Sequence, residues 1–335
     1  MLQRYNPPML VFILRRALQS GLVLFAMSLL VFVGVFAIGN PVDILISPQA
    51  EQKDIEATIA ALGLDKPLWQ QYWLFLSNAL TGDLGRSFAF NTPAITLIFE
   101  RAPATFELAL VAMLFAIGLG LPLGLAAGLK PDAWWAKTIM TGSILGFSLP
   151  TFWVGLLLIM VFAVNLGWLP SNGRGPTQLL FGVPVSFLSL EGWQHLLMPA
   201  LNLALYKLSL IIRLTRAGTQ EALLQDYVKF ARAKGLTNAR VVGVHVLKNI
   251  LIPIVTVIGL EFGSILAFAV VTESIFAWPG MGKLIIDAIA VLDRPVIVAY
   301  LLIIVTLFIL INLVVDMVYS LLDPRVRLGG TGAAA

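Results

Sequence analysis

An all-α, polytopic membrane protein with about six transmembrane helices is the fold class this sequence predicts, and three observations carry the prediction. Of 335 residues, 59% are apolar and only 12% charged, where an ordinary soluble domain carries about 25% charged residues. The mean hydropathy is +0.92. Apolar runs long enough for the ~20 residues that cross a bilayer recur about six times. Such a composition excludes a soluble enzyme, a disordered tail or a nucleic-acid module as the main reading.

The first run, Ala17–Ile38, follows Arg15 and Arg16 and exceeds the ~7–15-residue apolar core of a cleaved signal peptide, so it reads as a retained span. Residues 1–39 therefore form a short cytoplasmic end plus the first helix. Residues 40–102 are a polar insertion, read as an outer-face cap, with helix-like pieces at Glu51–Leu62 and around Trp69–Leu80. Trp69, Tyr72 and Trp73 fit either an aromatic belt at the interface or the core of that cap. Residues 103–323 hold the remaining runs: Ala104–Leu129, Ile139–Leu166, Leu196–Ile212, Ile250–Val271 and Val296–Leu321. The run Leu196–Ile212 is short and carries Lys207, so it is either a short span or the start of one long helix leaving the bilayer. Residues 324–335 are a cytoplasmic tail ending in a Gly- and Ala-rich stretch.

Within the spans, Gly120, Gly124 and Gly128 recur every four residues, as do Gly142 and Gly146. Small residues at that spacing let helix backbones approach in lipid, so packing is the expectation. Pro122, Pro150 and Pro253 are expected to break or kink their helices.

Charge sets the orientation. Lys and Arg concentrate in the N-terminal end, the segment 213–250 and the tail, which places both termini in the cytoplasm by the positive-inside bias. The formal net charge of +4 is thus a topology signal before it is a sign of a basic partner surface. Four charges fall at spanning depth: Glu107, Lys207, Glu261 and Asp316. An intramembrane ionisable group is a functional candidate by default, but each of these lies near a span end or beside a kink, where snorkelling relieves the cost. Glu261 is the deepest and is the candidate for the translocation path.

No catalytic centre is legible. With no cysteine and only His195 and His245, neither thiolate nor His-rich metal sites are available. AWPGMGKL (Ala277–Leu284) resembles a phosphate loop but lacks its first Gly and terminal Ser/Thr. The stretch Thr215–Pro253 is the most informative. It draws as two amphipathic helices, about Thr219–Lys234 and Asn238–Asn249, separated at Gly235, which suits a C-terminal position with positive φ. A basic loop touching anionic lipid would not need such a helix–Gly–helix, and its apolar face asks for a protein partner.

DYVKFARAKGL followed by HVLKNILIP resembles the EAA-type coupling loop of the dipeptide/oligopeptide branch of ABC importer permeases. The likeness runs over nearly the whole chain: LGLDKP with QQY, GDLGRS, APATFELAL, SLPTFWVG, VVTESIFAWPGMG and NLVVDMVYSLLDPRVR occur in that branch's order. The chain is most similar to the B-type dipeptide permease of the pair. Two departures stand out: Lys229, Phe230 and Ala231 occupy the Glu-Ala-Ala places, and IGNPVD replaces a PGDP-like turn after the first span.

The resemblance implies a type I importer permease fold and a bacterial inner-membrane location. It also implies these partners: a second related permease, two ATP-binding subunits that hold ATP and Mg, and an outer-face solute-binding protein. The chain itself would be no enzyme and would bind no cofactor or metal. In the coupling loop 213–250, Asp226, Tyr227, Phe230, Ala231, Arg232, Ala233, Lys234 and Gly235 would form the ATPase contact. Tyr227, Phe230 and Ala233 would be buried on docking, Ala231 and Ala233 would permit close approach, and Arg232 and Lys234 would pair with acids. Trp278, Pro279 and Gly280 would serve as outer gate or binding-protein contacts. Peptides are the expected solute. An ion-coupled secondary transporter and a structural assembly subunit are the alternatives.

Overall fold

A computed structural model of the chain describes residues 9–37, 53, 59 and 65–322. The helix-like piece Glu51–Leu62, apart from residues 53 and 59, the IGNPVD turn and the tail lie outside them. Apart from a two-stranded hairpin the described chain is helical: α1 Met9–Ala37, α2 Leu68–Leu80, α3 Ala94–Leu129, α4 Trp134–Ser148 and α5 Thr151–Leu158. A π-helical stretch Ile159–Asn165 extends α5. Strands β1 Gln178–Leu180 and β2 Val183–Val185 pair antiparallel, with Gln178 opposite Val185. Then come α6 Leu190–Leu224, α7 Asp226–Ala233, α8 Asn238–Arg240, a π-helical stretch Val241–Val246, α9 Leu247–Phe268, α10 Val270–Ile275, α11 Met281–Ala290 and α12 Arg294–Leu322.

Five of the described helical segments are long and apolar enough to cross a membrane, and a sixth span results if α4 and α5 count as one. The pair is bent by 106° at the break between its halves. Leu149 and Pro150 are extended there, since a residue before proline disfavours the helical region. Pro122 and Pro253, by contrast, remain inside continuous helices. Of the three prolines expected to break or kink their helices, Pro150 makes a break, the one with extended residues around it.

The long-helix alternative for the fourth span is the one realised. Thr219 sits within α6, its hydroxyl donating to the Thr215 carbonyl at 2.7 Å, so no new helix begins there. The helix ends at Gln225, whose ψ of 147° turns the chain out.

The core lies along α3 and α6, the most extensive helix pair. Gly124 and Gly128 face Thr215 and Thr219, and Gly120 faces Ile211. A Cβ on Gly124 would lie 2.6 Å from Thr215 Cβ and 2.7 Å from the Ile212 carbonyl oxygen; one on Gly128 would lie 2.6 Å from Thr219 Cβ. The four-residue repeat is therefore a groove into which a neighbouring backbone sinks. Gly142 has nothing within 4 Å, so its half of the second repeat packs nothing among the described residues.

Around this axis, α1 is fastened to α12 by Arg16–Asp316 and to α2 through Tyr72. That hydroxyl shares a hydrogen bond of 2.8 Å with Ser28, and the ring packs edge-on to Phe25 and Phe32. Trp69 and Trp73 instead stay exposed. Of the three aromatics only Tyr72 holds α2 in place.

A Gly124→Val variant is expected to destabilise the detergent-solubilised protein by about 1–3 kcal/mol through overpacking. Gly142→Ala should leave its thermal unfolding midpoint unchanged. Equal midpoints for the two variants would refute the assignment of the glycine groove.

Candidate functional site

Two regions bear the sequence's candidate residues, one at each end of the bundle. At the basic end, α7 is a short amphipathic helix wedged between two spans. Val228 and Ala231 point inward and are buried against Ala222, Val241, Val246, Ile250 and Ile254. The helix closes at Gly235, whose φ is +76°. Its N–H donates to the Arg232 carbonyl at 2.9 Å, and the Leu236 N–H donates to the Ala231 carbonyl at 3.3 Å. That double bond pattern is the Schellman stop, completed by Leu236 packing onto the same cluster. Open space surrounds Gly235, so conformation and not room dictates glycine there.

The opposite face of α7 has no cover among the described residues. Tyr227 is 39% and Phe230 62% exposed, and Asp226, Arg232, Ala233 and Lys234 are exposed as well. Lys234 Nζ stands 4.6 Å from the Phe230 ring centroid, and Lys229 pairs with Asp226 at 2.9 Å. The residues expected to form the elbow contact are thus exposed, with one exception. Ala231 is buried inside the chain, so its small size serves the internal contact with α9's lead-in and not an external one.

At the other end, three adjacent stretches converge on α3 residues 104–107. Trp278 Nε1 donates to the Ala104 carbonyl at 2.8 Å. Thr105 Oγ1 donates to Glu273 at 2.7 Å and accepts from the Met281 N–H at 2.8 Å. The Glu273 carboxylate also accepts from the Lys283 N–H at 2.9 Å, so it caps the start of α11. Glu273 lies beyond the end of α9; burial pushes its carboxyl up, while the bonds from Thr105, Lys283 and Gly282 pull it down. A side chain at Gly280 would collide with that carboxylate, and one at Gly282 would come within 2.6 Å of Val270 Cα. The glycines of AWPGMG exist to let the loop wrap a buried acid.

Trp278 is 0% exposed and Gly280 is buried. Neither presents surface in this structure, and of the three residues proposed as outer gate or binding-protein contacts only Pro279 is partly open.

Glu107 completes the lock at this end. Arg174 Nε and Nη2 reach one carboxylate oxygen at 2.9 and 2.6 Å. The other accepts from Ser186 N, Ser186 Oγ and Phe187 N at 2.6, 2.8 and 3.0 Å. The Arg174 guanidinium lies 5.8 Å from the Trp278 ring centroid. Nearby, Asp293 bonds Ser87 Oγ and the Phe88 and Ala89 N–H groups, which fastens the GDLGRS turn to the start of α12. Pairing, and not snorkelling, therefore relieves the spanning-depth charges: Glu107 with Arg174, Asp316 with Arg16, and Lys207 with Glu261. Lys207 also sits at the midpoint of α6 and not near a helix end.

The profile described as binding-protein-dependent transport system inner membrane component matches residues 120–328, and that family's N-terminal profile matches residues 9–109. The chain belongs to this family. It is an inner-membrane permease of the ABC importer class. It is 43% identical to the di/tripeptide transport system permease protein DppB of Pseudomonas aeruginosa, over 95% of this chain and 99% of that protein. It is 38% identical to the glutathione transport system permease protein GsiC of Escherichia coli K12 over 95% and 99%. It is likewise 38% identical to the dipeptide transport system permease protein DppB of Alkalihalophilus pseudofirmus over 95% and 100%. The inward-facing MetNI methionine ABC transporter shares the fold at a TM-score of 0.51 and 15% identity, over 68% of this chain and 96% of that one.

Glu273, Arg174 and Asp293 are the permease residues that sequence reasoning passed over; Glu107 is legible as a charge at spanning depth, without its partner. The signal for Glu273 was present in the paired glycines that follow it. No local pattern joins Glu107 to Arg174.

Replacing Glu107 with Met should raise amide hydrogen exchange at Ser186 and Phe187 by at least about tenfold, since a lost bond to a charged group is worth roughly 1.5–3 kcal/mol. Exchange in α7 should stay unchanged. Unaltered protection at Ser186 would show that the lock is not what holds the hairpin loop.

Proposed function

We propose that this permease is one of two paired membrane subunits of an importer that moves di- or oligopeptides inward across the bacterial cytoplasmic membrane. The uncovered α7 face carries the reading. Two aromatic side chains, a lysine and an arginine project from a helix that is buried on its other side against two spans. An exposed phenylalanine ringed by charge has the character of an interface anchor.

In this reading the basic end is cytoplasmic, both termini lie there, and α7 docks into one of two ATP-binding subunits. Those subunits hold ATP and Mg; this chain contributes no hydrolytic group. Tyr227 and Phe230 bury apolar surface in the cleft, and Arg232 and Lys234 meet acids of the ATPase. ATP favours the closed arrangement of the ATPase pair. It shifts the permeases toward their outward-open state only through its differential affinity for the two arrangements. Because Val228 and Ala231 tie α7 to α9 and its lead-in, a displacement of the elbow becomes a displacement of the spans. On the opposite side, the residue 40–102 cap, the loop 167–192 with its hairpin and the stretch 276–295 receive a solute-binding protein. The hairpin's two-residue turn, Phe181-Gly182, has positive φ at both positions and leaves Phe181 fully exposed at its apex. The peptide assignment rests on the named functions of the relatives.

Two variants test the elbow in proteoliposomes of the assembled importer. Phe230→Asp should lower co-purification of the ATP-binding subunits by about tenfold or more, as loss of an interface anchor does. Gly235→Val forces a β-branched residue into the left-handed region. It should leave membrane insertion intact while solute-stimulated ATP hydrolysis no longer drives uptake. Normal uptake by either variant overturns the elbow assignment.

A further inference from the structure

The Lys207–Glu261 pair belongs to neither the elbow nor the Glu107 lock. Lys207, at the middle of α6, contacts Glu261 of α9 and donates to Ser264 Oγ at 2.6 Å. Ser264 Oγ donates in turn to Glu261 Oε2 at 3.1 Å. Both Glu261 bonds thus fall on Oε2, and the pair is incompletely enclosed, with side chains 12% and 25% exposed. Glu107, by contrast, is 1% exposed and satisfied on both oxygens.

The pair continues into a polar and aromatic stripe. Lys207 Nζ lies 5.0 Å from the Tyr206 ring centroid, Tyr206 stacks on Phe147 of α4 at 4.7 Å, and the Arg213 guanidinium lies 4.4 Å from the Phe147 ring centroid. Charged groups at this depth do not face lipid, because the hydrocarbon core strongly disfavours them. The stripe faces water or another protein surface.

We propose that Lys207 and Glu261 line the solute path and form a station for zwitterionic solutes. The pair opens as the solute arrives, Lys207 taking its carboxylate and Glu261 its ammonium. A solute with both charges re-partners both residues. A solute missing one leaves a charge uncompensated, and that penalty rejects it. The station rests on the peptide-importer reading and names the solute charge pattern that this reading leaves open.

The test uses the assembled importer in proteoliposomes with dialanine, N-acetyl-dialanine and dialanine amide as probes. Lys207→Met should cut dialanine uptake about tenfold, the scale of one lost charge-assisted bond, and raise dialanine amide uptake, because no uncompensated lysine remains. Glu261→Gln should do the same with N-acetyl-dialanine as the probe that gains. Any selection by the binding protein cancels in these ratios. Parallel loss of all three probes in both variants overturns the station. So does full rescue, with wild-type probe ratios, by the exchanged pair Lys207→Glu/Glu261→Lys, which marks a purely structural bridge.

A second measurement does not depend on the solute. The chain has no cysteine, so Ser264→Cys can be labelled selectively with a membrane-impermeant thiol reagent, with Phe308→Cys on α12 as control. Labelling at 264 and not at 308, in the nucleotide-free or the ATP-trapped state, is expected. No labelling at 264 in either state overturns the path position. If 264 labels but the wild-type importer carries none of the three peptides, the peptide reading fails and the zwitterion station falls with it.

Discussion

The close approach of α3 to α6 is the contact on which the rest of this permease depends. Lipid offers little hydrophobic incentive for one apolar helix to prefer another, so association rests on van der Waals fit and polar bonds. The glycine groove at 120, 124 and 128 supplies the fit, with Thr215 and Thr219 seated where a Cβ would otherwise stand. Toward the other end of α3, residues 104–107 supply the polar bonds. One helix thereby organises both ends of the bundle: its glycines receive the helix that leads to the elbow, and its carboxylate and carbonyl hold the loops.

Those loop contacts follow a consistent economy. Each buried acid outside the mid-span pair is surrounded by backbone N–H donors from a loop that must stay in one place. Glu107 takes two from the hairpin loop, Glu273 takes that of Lys283 at the start of α11, and Asp293 takes those of Phe88 and Ala89, just after the GDLGRS turn. Backbone groups at membrane depth are costly unless satisfied. A charged acceptor fixes a non-helical segment more firmly than a neutral one.

Much of this was legible from residues alone. Apolar runs gave the spans because a bilayer imposes a minimum length; Gly235 marked the end of the elbow helix because only glycine takes positive φ without strain. The glycine repeat on α3 was readable as a packing face for the same steric reason. Helix limits were less legible. A span that is apolar all round has no periodic stripe to end, so α6 running on to Leu224 and the sharp turn at Pro150 depend on neighbours. Ala231 looked like part of an outward contact because amphipathic spacing in an eight-residue helix leaves its two faces poorly separated. The Glu107–Arg174 and Lys207–Glu261 partnerships join distant segments. Sequence shows each charge and its depth, but not the partner that neutralises it.

The elbow's two faces answer to different masters. Val228, Ala231 and Leu236 must suit Val241, Val246 and Ile250 within the same polypeptide, so they are constrained by a surface that is inherited along with them. In the proposed docking, Tyr227, Phe230, Arg232 and Lys234 would suit a surface made by another gene product. A duplicated importer acquiring a new engine could therefore rewrite the outward row alone, trading partners without redesigning the lever that transmits the stroke.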